Sequence, residues 1–296
     1  MSAPRILVID GNRAETRARQ VAAGGQPSGE GYVATLQALH PGLHCDIVRP
    51  ADGAVQLPVP LTAYDGVAVT GSALNIYDGG PHIERQLELA RAVFDAGVPF
   101  FGSCWGLQLA AVAAGGVVRA NPRGREFGFG RRIVLTAAGR THAMFAGKPE
   151  VFEAVTVHRD EIATLPPGGV ELAHNEMGLQ AAEIRHGRGV FWGVQYHPEY
   201  DYGEIAAVGL RYGEVLVNEG LFADRAELEG WAGELRALQH AQQDARLLWR
   251  HGLGPAMRDA ALKLAEIANW LECQVRPAHA ARAGARSGQG GAASRM

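Results

Sequence analysis

The chain has 296 residues, 47% of them apolar, and a formal net charge of −3, which suits one substantial core with a smaller appendage. No run reaches the ~18 apolar residues of a membrane span, and MSAPRILVIDG leads straight into a strand pattern without a signal-type leader, so a cytoplasmic protein without membrane contact is expected. Three widely spaced cysteines, Cys45, Cys104 and Cys273, fit a reducing compartment and exclude a disulfide scaffold or a zinc pair; no metal or cofactor site is visible. The arginines between 119 and 132 lack interleaved aromatics and read as a solvated face, so no nucleic-acid partner is expected.

Taken in order, short apolar runs alternate with amphipathic stretches. Strand 6–9 precedes helix 31–39, strand 45–48 follows, strand 67–69 precedes helix 83–96, and strand 98–101 precedes helix 105–114. This alternation predicts an α/β fold with a mostly parallel sheet covered by helices on both faces. From 127 to 157 and from 170 to 191 short strands with Gly and Pro turns predict a smaller antiparallel layer. A helix from 202 to about 217 ends the main domain, assigned to residues 1–217. Asp224 is placed to cap a helix reaching about residue 250. Gly252 and Gly254 bend the chain, and Pro255 opens a second helix with Met257, Ala261, Leu264, Ile267 and Leu271 on one stripe. Residues 224–276 thus read as a helical hairpin for packing or homo-oligomerisation, and 278–296, rich in Ala, Gly, Arg and Ser, as a disordered tail.

Ligands of such sheets bind at the carboxyl ends of the strands, and two sequence strings put chemistry there. In PFFGSCWGLQ the strand turns into a helix at Cys104, flanked by Gly102 and Gly106 where side chains would collide in a tight elbow. The unpaired amides and dipole of the helix N-terminus favour a thiolate there. Alone, this is equally a buried structural cysteine between glycines. In VFWGVQYHPEY, His197 and Glu199 lie two apart at the end of an apolar run, and on extended backbone both side chains project to one side. A thiol, an imidazole and a carboxylate that fixes its tautomer are the parts of a nucleophile triad.

The motifs TGSALNIYD at 70–78, GSCWGLQLAA at 102–111, GG at 115–116, REFG at 125–128, VHRDEIATLP at 157–166 and GVQYHPE at 193–199 together resemble the class I, or triad, glutamine amidotransferases. The similarity is to the branch whose glutaminase domain is like that of GMP synthase, in a stand-alone form, over about residues 6–213. The resemblance implies a flavodoxin-like fold and hydrolysis of a γ-carboxamide of glutamine or a γ-glutamyl amide. Cys104 would form a γ-glutamyl thioester, His197 would act as base and acid, and Glu199 would orient it. It further implies an oxyanion site from the backbone of Gly71, Ser72 and Trp105, and substrate binding by Gln108 and the backbone near His158 and Arg159. No cofactor is implied.

Two residues depart from the family pattern. Ser103 stands where an apolar residue is usual and Leu107 where His or Met is usual, so the pocket edge is expected to differ, with either ammonia or a larger amine as the leaving group. Nothing resembles a synthetase domain, so a separate ammonia-accepting synthetase subunit exists or there is none. Two other readings stand beside this one. CWGLQ, HPEYD at 197–201 and NWL at 269–271 also resemble homoserine O-acyltransferases of the same fold, and a non-catalytic regulatory protein could retain the fold with its hairpin closing the site.

Overall fold

The computed structural model describes residues 3–290. Its strands are β1 (Arg5–Ile9), β2 (His44–Val48), β3 (Gly66–Val69), β4 (Phe100–Ser103), β5 (Val117–Ala120), β6 (Glu126–Leu135), β7 (Val151–His158), β8 (Asp160–Thr164), β9 (Gly169–Asn175), β10 (Gly178–His186) and β11 (Gly189–Val194). Helices α1 (Ala14–Ala22), α2 (Ser28–Leu39), α3 (Pro81–Ala96), α4 (Trp105–Ala113) and α5 (Ala137–Thr141) interleave with them. After the last strand come α6 (Tyr202–Tyr212), α7 (Glu214–Asn218), α8 (Arg225–His240), α9 (Ala245–Arg250), α10 (Pro255–Arg258), α11 (Ala260–Lys263), α12 (Ala265–Trp270), a π-helical turn Leu271–Val275, and α13 (Arg276–Gly290).

Nine strands form one sheet in the order β2-β1-β3-β4-β11-β10-β9-β6-β7. Its first five strands are parallel, and from β11 onward each neighbour is antiparallel. The strands expected to form a separate antiparallel layer therefore extend the main sheet, because β11 bonds to β4 along one edge and to β10 along the other. Among the described residues only β5 and β8 pair apart.

Alternation along the strands divides the core. Leu7 and Ile9 of β1 join α3 and α4 in one fully buried cluster, with Phe100 and Phe191. Ile6 and Val8 face the other way, toward Tyr32 and Leu36 of α2, Phe101, and Ile267, Trp270 and Val275 of the C-terminal segment. β4 begins two residues later than its apolar run suggests, since Pro99 has no amide to give the ladder. The amide of Cys104 extends that ladder to Val194 O at 2.7 Å, carrying the strand to the elbow.

Beyond α6 the chain follows the expected turns with more breaks. Asp224 accepts from the Glu227 amide at 2.9 Å and starts α8, which stops at His240 before Asp244 caps α9. The bend falls at Gly252 (φ 57°), and the returning arm is divided into α10, α11 and α12. Asp259, in extended conformation, breaks it by accepting from the Ala261 amide at 2.8 Å. Of the segment read as a tail, 278–290 belongs to α13, whose His279 and Arg282 pair with buried Asp65; 291–296 lies outside the described residues. No helix of the described residues is long and apolar enough to cross a membrane.

Candidate functional site

Cys104 links β4 directly to α4 with φ 51° and ψ −101°. It and Arg132 are the two non-glycine residues with positive φ among those described, a conformation that the surrounding packing must enforce. The enforcing contacts are visible at its glycine neighbours. A Cβ on Gly102 would lie 2.8 Å from Gly106 Cα, and one on Gly106 would lie 2.7 Å from the Val69 carbonyl oxygen. Both are backbone contacts, so neither can give.

His197 follows β11 and is anchored by its amide to Val155 O at 2.8 Å. Its Nδ1 meets Glu199 Oε1 at 2.8 Å, and its ring lies flat on Tyr200, centroids 4.1 Å apart. The imidazole is 1% exposed, and among the described residues its buried Nε2 has no acceptor of ordinary hydrogen-bond geometry. Burial by itself would lower the imidazole pKa, but the Glu199 carboxylate, with the adjacent Cys104 thiol, outweighs it and holds the ring well above its ordinary value. An imidazole so placed presents Nε2 on the thiol side, where acid–base chemistry at the sulfur calls for it.

The turn Thr70-Gly71-Ser72 stands against this ring, with Gly71 so close to His197 Cε1 that a Cβ would overlap it. The turn is held open by Asn12, whose Nδ2 donates to Gly71 O at 3.2 Å and whose Oδ1 accepts from the Ala73 amide at 3.0 Å. Thr70 Oγ1 donates to Gly71 O at 2.8 Å. Among the described residues nothing accepts from the amides of Gly71 or Ser72, and Trp105, as first residue of α4, has an amide without a partner inside the helix. The Trp105 indole points inward, donating to Gln86 Oε1 at 2.8 Å.

A solvent-open cleft lies over the thiol, lined by Cys104, Gln108, Arg125, His158, Arg159 and Tyr212 among others. Gln108 is steadied by Gln195 at 3.3 Å. Both ring nitrogens of His158 are engaged, by Glu126 at 2.8 Å and by the Asp160 carbonyl at 3.1 Å, and the Arg159 guanidinium donates to Asn121 O at 2.6 Å. Ser103 and Leu107, expected at the pocket edge, are not there. Both are fully buried: Leu107 packs in the core with α3, and Ser103 hydrogen-bonds Glu199. Asn12, Tyr32 and Tyr200 were not singled out from the sequence; the first two come from segments far from any motif. Among the described residues no group of three or more His, Cys, Asp or Glu is arranged as a metal site.

A thiol on a strand-to-helix elbow, beside an imidazole backed by a carboxylate on the next parallel strand, defines the class of cysteine-nucleophile amidohydrolases built on α/β sheets. Within that class the chain belongs to the class-I glutamine amidotransferase family, whose model matches residues 34–211. It is 35% identical over 276 residues to a gamma-glutamyl-L-1-hydroxyisopropylamide hydrolase of a Pseudomonas species, covering 92% of this chain and 94% of that one. It is 30% identical over 172 residues to the GMP synthase of Wolinella succinogenes, covering 57% of this chain but 31% of the synthase. Among solved structures, a Thermotoga maritima glutamine amidotransferase superposes with a TM-score of 0.60 at 20% identity, covering 93% of this chain and 99% of that one. One from Methylobacillus flagellatus gives 0.55 at 20% identity, over 80% and 94%. These two establish the fold.

Proposed function

We propose that the chain hydrolyses γ-glutamyl amides, with amines larger than ammonia as leaving groups, through a thioester on Cys104. The observation that carries this is the junction of the Cys104 elbow with the 2.8 Å His197–Glu199 pair. The match to the Pseudomonas hydrolase supports it, running nearly end to end and hence through most of the C-terminal extension, whereas that to GMP synthase does not.

The sulfur attacks the δ-carbonyl carbon of the substrate, and the electron pair moves to oxygen, where the amides of Trp105 and of the Gly71-Ser72 turn stabilise it. His197 gives its Nε2 proton to the departing nitrogen as the C–N bond breaks, leaving the thioester and a free amine. Neutral His197 then takes a proton from water, hydroxide adds to the thioester, and collapse releases glutamate and the thiolate. Glu199 keeps the Nδ1 proton in place throughout. Gln108 and the backbone at His158 and Arg159 hold the glutamyl moiety in the cleft. Three free cysteines suit the reducing cytoplasm. The enzyme acts without a synthetase subunit, and self-association would use the C-terminal helices.

Glutamate release from glutamine and from a series of γ-glutamyl alkylamides and hydroxyalkylamides tests the proposal. Cys104→Ser is expected to lower kcat/KM by about 10³-fold or more on every substrate that turns over, and the amides are expected to outrank glutamine. Release that survives Cys104→Ser, no release at all, or acyl transfer from acyl-CoA to homoserine would overturn it.

A further inference from the structure

Behind the His197–Glu199 pair lies a chain of hydroxyls with no part in the steps above. Glu199 has two carboxylate oxygens, and His197 occupies one of them. The other, Oε2, accepts from Ser103 Oγ at 3.0 Å. Ser103 has a single proton, so it is committed to the carboxylate, and the Tyr32 hydroxyl 3.1 Å away has to be the donor in the next link. The order is Tyr32 to Ser103 to Glu199 to His197. All of it is dry on the Ser103 side: Ser103 is 0% and Tyr32 1% exposed. Burial, and then the nearby Glu199 charge, push the Tyr32 hydroxyl well above an ordinary phenol, which keeps its proton in place to donate.

The geometry gives this chain a purpose. A carboxylate turns easily about its last bond, where the torsional wells are broad, and with His197 as sole partner Glu199 could swing out of the imidazole plane. Glu199 and Tyr32 both line a separate, solvent-open pocket behind the site, so the carboxylate is not packed on every side. The Ser103 contact fixes the second oxygen from the opposite side. Ser103 also ends β4 and adjoins Cys104, so one peptide unit sets the nucleophile and the anchor of the acid together. An apolar residue, usual at this position in the family, can make no such bond.

We infer that Ser103 and Tyr32 are positioning residues for the hydrolysis proposed above, locking the Glu199 carboxylate in the orientation that aligns His197. Tyr32 acts only through Ser103.

The test uses the full chain and its Ser103→Ala, Tyr32→Phe, double and Ser103→Thr variants, with kcat and KM on a γ-glutamyl anilide. Ser103→Ala is expected to lower kcat about tenfold with KM within about twofold, the scale of one lost hydrogen bond to a charged group. Tyr32→Phe is expected to give a smaller loss, the double variant no more than Ser103→Ala alone, and Ser103→Thr a recovery of most of the rate. Multiplying losses in the double variant, a change in KM alone, or an unaltered kcat in Ser103→Ala would overturn the inference. If the wild type hydrolyses no γ-glutamyl amide, the earlier reading fails by itself. The alkylation rate of Cys104 by iodoacetamide, followed on its own peptide by mass spectrometry, then decides: slower labelling in Ser103→Ala supports the positioning role, and equal labelling refutes it.

Discussion

Gly71 shows how narrow the tolerances around His197 are. A methyl group there would overlap His197 Cε1, and the ring cannot retreat because Tyr200 lies against it. The backbone at Gly71 is not in the left-handed region, so alanine is conformationally admissible and its cost falls on the imidazole. Displacing a catalytic group by about 1 Å commonly costs about 10²-fold in rate. Gly71→Ala is therefore expected to lower kcat by about that factor while the thermal midpoint stays within about 3 °C; steady-state kinetics beside a melting curve checks both. Glycine next to Thr70 in TGSALNIYD is readable as a tight turn, and Cys104, His197 and Glu199 are readable because each motif is local. The residues that secure them are not. Asn12 and Tyr32 arrive from a loop and a helix that carry no functional motif, and Ser103 is visible only as a departure from pattern, with its partner hidden ninety-odd residues away. A polar residue beside a nucleophile suggests a changed pocket, whereas the strand pleat turns Ser103 to the opposite side, onto Glu199.

At the scale of elements, the antiparallel half of the sheet carries its own electrostatic lock. Glu183 of β10 accepts from Trp192 Nε1 of β11 at 2.9 Å, from Arg185 at 2.7 Å, and from His142 Nε2 at 3.0 Å. His142 Nδ1 accepts from the Met144 amide, so Nε2 carries the proton and donates. The His142 bond, followed by those from Trp192 and Arg185, overcomes burial and lowers the Glu183 carboxyl from 4.5 to about 2. Because the folded value lies below the unfolded one, the native state binds fewer protons in this window. The contribution is fully present above pH 4.5 and disappears as pH falls toward 2. The difference in urea midpoint between wild type and Glu183→Gln is expected to be largest near neutrality and to shrink steadily below about pH 4.5; a difference independent of pH would refute the ionic origin. Sequence periodicity finds these strands but not their attachment. Whether a run of hairpins stacks as a second layer or continues the first sheet depends on which edge β11 offers, and the pairing Phe191 with Phe100 and Trp192 with Phe101 is a long-range choice.

For the whole molecule the decisive question is whether the C-terminal helices are an appendage or a wall. Their packing makes them a wall. Trp270 is fully buried against Phe101, ring centroids 5.6 Å apart, and lies so close to β3 that a Cβ on Gly66 would come within 2.8 Å of it. Four residues earlier, Glu266 (0% exposed side chain) is bound at 2.8 Å to Lys148 (1%) and at 2.5 Å to the Tyr196 hydroxyl. Tyr196 immediately precedes His197, so the extension reaches the functional loop through a buried ion pair and a phenol. Removing one large buried aromatic costs about 3–5 kcal/mol, and breaking a buried pair a similar amount, about 3–5 kcal/mol, against a net stability of about 5–15 kcal/mol for an ordinary domain. A chain ended at Leu221, though it retains every residue of the proposed triad and cleft, is accordingly expected to be aggregated or to lack a cooperative melt at 37 °C. The full chain should unfold in one transition, followed by tryptophan fluorescence and by far-ultraviolet dichroism with coincident curves. A truncated protein with an unchanged midpoint would mean that the extension docks as a module of its own, and that the helix stripes read in the sequence as a packing or oligomerisation hairpin describe an independent unit rather than one side of the core.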